Sequence, residues 1–84
     1  MKNLLLDILM KIVKYPDEVE VKEIDDEENI VYEIYVNPED VGQIIGKDGR
    51  TIKSINIIMN AAKKEQDKKF ILKVIRWIKY GKFK

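Results

Sequence analysis

With 84 residues the chain has room for one modest hydrophobic core and none for a separate substrate domain. It holds neither cysteine nor histidine, which removes disulfide and thiolate chemistry, the commonest metal ligand and the usual general base near neutral pH. The formal charge of +1 hides an asymmetry, because residues 1–42 carry 4 Lys/Arg against 12 Asp/Glu and residues 43–84 carry 12 against 3, or −8 and +9. Such halves fit an anionic partner for the second half, or simply two solvated faces.

The opening MKNLLLDILMKIV is apolar, but Asp7 and Lys11 interrupt it and no small-residue cleavage site follows. A folded helix in a cytoplasmic protein is therefore expected instead of a secretory leader. The helix should span residues 3–15, with Asn3, Asp7, Lys11 and Lys14 as a polar stripe and Pro16 ending it at Tyr15. Its apolar positions wrap around more of the helix than one sheet can cover. Either the helix is sunk in its own core, or a part that includes Leu6 and Met10 forms a dimer seam.

Val19 and Val21 alternate with charged neighbours, and Ile30, Tyr32, Ile34 and Val36 share one face of the next segment. Joined by the acidic DDEEN, the two read as an antiparallel hairpin. Asn37 is a good N-cap and Pro38 suits the first helical position, while Glu39 and Asp40 complement the positive helix end. That predicts a short helix from Pro38 to about Ile45. A second helix, from about Arg50 to Lys64, follows from the spacing of Ile52, Ile55, Met59 and Ala62. FILKVI closes the pattern as a third strand with Phe70, Leu72 and Val74 facing one way. Residues 77–84 read as a basic aromatic extension beyond a single domain of residues 1–76, with Lys79, Lys82 and Lys84 between Trp77, Tyr80 and Phe83. The mixture suits stacking on single-stranded nucleic acid, or packing of Trp77 near Tyr35 and Ile75 on the open sheet face.

Between the two helices lies GQIIGKDGR. A nucleotide phosphate loop is excluded in detail. Three residues instead of four separate Gly42 from Gly46, Asp48 stands where a metal-binding hydroxyl is needed, and a helix precedes the segment where a strand is required. Nucleic acid fits better. Gly46 and Gly49 let the backbone turn and clear side chains from the path of a sugar-phosphate chain. The free N–H groups of the following helix would meet a phosphate there, with Lys47, Arg50 and Lys53 adding charge.

An apolar pair, then GxxG, then apolar residues at helical spacing is the hallmark of the KH (K-homology) domain. The segment Ile44-Ile45-Gly46-Lys47-Asp48-Gly49-Arg50, continued by Ile52 and Ile55, resembles it. The order helix, strand, strand, helix, GxxG loop, helix, strand is similar to the type II, prokaryotic arrangement. With KIVKYPDEVEV and NPEDVGQIIGKDGRTIKSI the chain resembles the bacterial KhpA (YlqC-like) family of small single-KH proteins over residues 2 to about 76. The resemblance implies an α+β fold with helices packed on one face of a three-stranded sheet. It implies a non-enzymatic protein without cofactor, metal, membrane or small-molecule substrate. About four single-stranded nucleotides would lie in a groove, their backbone clamped by the loop.

Carried over by position, Gly46 and Gly49 would give close approach, Lys47 phosphate contact, and Ile45 and Ile52 an apolar wall, with Arg50 and Lys53 flanking. Asp48 would place a carboxylate inside the clamp, and Ile44 and Ile55 would be core. The resemblance further implies a homodimer, or a heterodimer with a second KH-containing RNA-binding protein, and a role as RNA chaperone or post-transcriptional regulator linked to cell shape and cell wall biogenesis. The other reading is a protein-interaction or dimerisation module that binds RNA weakly or not at all.

Overall fold

Alternating apolar residues in the middle of the chain build a sheet, and the helices close over one side of it. In the computed structural model, which describes residues 2–64 and 68–76, the elements are α1 (Lys2–Met10), β1 (Glu20–Asp25), β2 (Asn29–Val36), α2 (Pro38–Ile45), α3 (Arg50–Ala62) and β3 (Lys69–Arg76). The strands lie in the order β1-β2-β3, with β1 antiparallel and β3 parallel to the central β2. A parallel return needs a crossover connection, and α2 and α3 supply it. This is the α+β architecture expected from the motif order.

Register places Ile34 between Val21 and Val74, and Ile30 beside Phe70. These residues, with Tyr32 and Val36, form the sheet side of the core. Leu5, Leu9, Ile44, Ile55 and Met59 complete it from the helices. The opposite sheet face carries Lys22, Glu33 and Lys73 in one row and Tyr35 beside Ile75 in the next. Trp77 and the rest of the 77–84 extension lie outside the described residues. No helix among those described is long and apolar enough to cross a membrane.

Two helices are shorter than their periodicity predicts. α1 stops at Met10 instead of Tyr15, and the cause is a competing acceptor. The Ile12 and Val13 amides still donate to the Leu9 carbonyl at 2.9 and 3.0 Å. The next amides, of Lys14 and Tyr15, donate instead to the Asp40 carboxylate at 2.8 and 3.0 Å. Asp40 is only 1% exposed, and these bonds satisfy a carboxylate that burial would otherwise penalise. The acid placed by sequence at the start of α2 thus also pins the chain leaving α1. α3 ends at Ala62, with Lys63 already extended toward β3.

Candidate nucleic-acid interface

α2 begins as its sequence dictates: Asn37 Oδ1 accepts from the Glu39 amide at 2.8 Å and Pro38 fills the first position. It buries Ile44 and ends where the Gly46 amide donates to the Gly42 carbonyl at 2.8 Å. The loop then makes one tight turn. Gly46 takes φ 76 and ψ 176, Asp48 φ 57 and ψ 26, and Gly49 φ 76 and ψ 13. All three have positive φ. Asp48 and Gly49 are left-handed, a conformation that suits glycine and that Asp tolerates better than most residues, while Gly46, with ψ 176, takes one that is essentially glycine's alone. The carboxylate at position 48 thus has a backbone reason for being there. Gly46 carries a second constraint, because any Cβ on it would collide with Thr51. At Gly49 a Cβ would meet nothing within 4 Å, so only its backbone angle calls for glycine.

α3 starts at Arg50 directly after Gly49 with no side-chain cap. Its N-terminal end, with the positive end of the helix dipole, is left to the loop and to whatever approaches it. Lys47, Asp48, Arg50 and Lys53 are all exposed around this end. Three of the four are cationic, so the local field favours an anion.

Beside the loop a groove of about 370 Å³ runs between α3 and β3, lined by Ile52, Lys53 and Asn56 on one side and Lys69, Phe70, Ile71 and Leu72 on the other. Ile52 and Leu72 give it apolar surface, Lys53 and Lys69 positive charge. The α3 axis runs back along β3, so that Asn60 meets Phe70 while Ile52 and Lys53 share the groove with Leu72. The loop therefore lies at the groove end nearer the β3 C-terminus.

Among the described residues β3 is an edge strand. The Phe70 amide donates to Asn60 Oδ1 at 2.9 Å, and its carbonyl accepts from Asn56 Nδ2 at 3.1 Å and Asn60 Nδ2 at 3.2 Å. Both of its main-chain groups thus point away from β2. Alternation along a parallel ladder aims those of Leu72 and Val74 the same way. Neither has a partner on that side among the described residues.

The structure gathers Gly46, Lys47, Asp48, Gly49 and Arg50 at the loop and Ile52 and Lys53 at the groove. Ile45 is half-buried before Gly46 but does not line the groove, while Ile44 and Ile55 are core. The two residues named for a seam separate: Leu6 is half-buried against the core, and Met10 is 42% exposed. Sequence reasoning missed Asn56, Asn60, Lys69 and the β3 edge. A signal was there, since Ile52, Asn56 and Asn60 recur every four residues on one helix face, and asparagine is a poor helix former that needs a reason to be interior.

The family model for the KhpA/KhpB KH domain matches residues 2–74. The chain is 57% identical over 76 residues to the RNA-binding protein KhpA of Thermotoga maritima, covering 90% of this chain and all of that protein. It is 41% identical over 75 residues to the protein of the same name from Clostridium acetobutylicum and 36% over 75 residues to that from Oceanobacillus iheyensis, covering 89% of this chain and all of each relative. A whole-length match and a GxxG loop between α2 and α3 lead to one assignment: the chain belongs to the KhpA/KhpB KH-domain family.

Proposed function

We propose that the chain binds single-stranded RNA, with the loop Gly46–Gly49 against the sugar-phosphate backbone and the bases in the groove between α3 and β3. The observation that carries this reading is continuity. An uncapped helix start ringed by Lys47, Arg50 and Lys53 opens into a groove whose far wall includes Leu72. Among the described residues the outward main-chain groups of Leu72, and of Val74 one step beyond the lining, have no partner. Phosphates supply most of the affinity and the groove a modest base preference. The names of the relatives, RNA-binding protein KhpA, support RNA as the ligand class. On this reading the protein serves as an RNA chaperone or post-transcriptional regulator.

Fluorescence anisotropy of a short labelled RNA pool at two salt concentrations tests it. Wild type should bind with a log-log salt slope of about −0.7 per phosphate neutralised, and Lys47→Asp should lose the binding while keeping its circular dichroism. Equal binding by both proteins would remove the loop from the site.

A second reading, self-association or pairing with another KH-containing protein, is favoured by exposed apolar side chains: Met10 at 42%, Ile57 at 59% and Ile58 at 49%. Because Leu6 also packs on the core, Met10→Glu is the cleaner probe. Sedimentation should show wild type heavier than the folded variant, and a monomeric wild type at high concentration would end self-association and leave only pairing with a different protein.

A further inference from the structure

We propose that Asn60, backed by Asn56, is a positioning residue that sets where along β3 a bound strand begins to be read. The inference rests on the RNA reading above and adds a stop to it. Asn60 pairs with Phe70 through both ends of its carboxamide, accepting from the amide at 2.9 Å and donating to the carbonyl at 3.2 Å. That is how a neighbouring strand would hold Phe70, and it is also the adjacent acceptor and donor pattern that a base edge presents. Asn60 therefore occupies, from inside the protein, a position equivalent to one that a base would take on the open edge.

The surrounding bonds fix the carboxamide in place. Asn60 Nδ2 also donates to the Asn56 carbonyl at 2.9 Å and to Asn56 Oδ1 at 3.1 Å, and Asn56 Nδ2 donates to the Phe70 carbonyl at 3.1 Å. The amide orientation follows from these contacts, because flipping Asn60 would set its nitrogen against the Phe70 N–H. Both side chains come from α3, the helix that also presents Ile52 and Lys53 to the groove. One rigid element thus holds the groove wall and closes the first outward pair on β3. Among the described residues the pairs at Leu72, which lines the groove, and at Val74, one step beyond its lining toward the loop, stay open. A strand clamped at Gly46–Gly49 is read at these two positions and no further toward Phe70.

Amide hydrogen exchange of the full chain, read by NMR with and without a single-stranded hexanucleotide RNA, tests the stop. In the free protein Phe70 should exchange more slowly than Leu72 and Val74. RNA should slow Leu72 and Val74 at least about tenfold and leave Phe70 unchanged. Slowing of Phe70 together with Leu72, or none at Leu72 while Lys47 and Gly49 respond, overturns the inference and leaves the RNA reading intact. No response at Lys47 or Gly49 sinks both.

The second arm scans one abasic position through the hexanucleotide with wild type, Asn60→Ala and Asn60→Asp. Wild type should show two sensitive positions. Asn60→Ala should gain a third, sensitive by roughly fivefold, and Asn60→Asp, which keeps the acceptor for the Phe70 amide, should keep the wild-type pattern. A uniform loss of affinity in Asn60→Ala with no new sensitive position would assign the asparagines a structural role only. Should Asn60→Ala fail to fold, the wild-type exchange pattern decides alone.

Discussion

Thr51 lies so close behind Gly46 that a Cβ on the glycine would fall on Thr51 Oγ1 and sit 2.7 Å from Thr51 Cβ and 2.8 Å from its backbone nitrogen. The first glycine of the loop is thus held by contact as well as by angle, and the second by angle alone. Gly46→Ala should cost about 3 kcal/mol or more, against about 1 to 2 kcal/mol for Gly49→Ala. Urea unfolding of the two variants measures the difference. Adding Thr51→Ala should not rescue Gly46→Ala, because the Thr51 nitrogen remains in the way. Equal losses in the two single variants would mean that the turn relaxes freely.

Asp48 holds a left-handed backbone conformation while setting a negative charge in the loop. Asparagine keeps the first property and removes the second. Asp48→Asn should leave stability within about 0.5 kcal/mol and raise RNA affinity several-fold at low salt, with the gain shrinking as salt screens the exposed charge. Anisotropy at two ionic strengths reads this directly. Unchanged affinity at low salt would place the carboxylate away from the bound phosphate.

The buried Asp40 carboxylate receives two amides from the segment after α1. Asp40→Ala leaves both amides without their acceptor and should destabilise the fold by about 3 kcal/mol. Asp40→Asn retains one acceptor but turns an N–H toward an N–H, and should lose about 2 kcal/mol. Chemical denaturation gives both values. A loss below 1 kcal/mol for alanine would show that water takes over the amides.

Burial, aided by the facing Glu23 carboxylate, lifts the Tyr32 phenol from 10.0 to about 12. A raised phenol pKa favours the folded state while the group is protonated. Its contribution is whole below pH 10 and is lost as pH rises toward 12. Tyr32→Phe should therefore flatten the fall in stability across that interval relative to wild type. Parallel curves for the two proteins would mean that other groups drive the alkaline limb.

Much of this arrangement was legible in the residues. The caps at Asn37 and Pro38, the alternation in β2 and β3 and the two loop glycines act locally, so their signals survive in a single sequence. What escaped were contacts between distant segments. Lys14 and Tyr15 look helical until Asp40, 25 residues away from Tyr15, takes their amides. Asn56 and Asn60 look like helix polarity until β3 arrives beside them. The groove itself exists because, among the described residues, β3 has no strand neighbour on that side, a property of strand order that local patterning does not encode.

Strand order also gives the separated charges of the sequence a direction in space. Glu20, Glu23 and Asp25 lie on β1, one rim of the sheet, while Lys69, Lys73 and Arg76 lie on β3, the other. With β2 between them, the near-neutral molecule carries a transverse dipole. In the field of a polyanion that dipole exerts a torque, turning the β3 rim inward and the β1 rim outward before any contact forms. Rotational alignment shortens the search for a productive collision, so salt should slow association more than it speeds release.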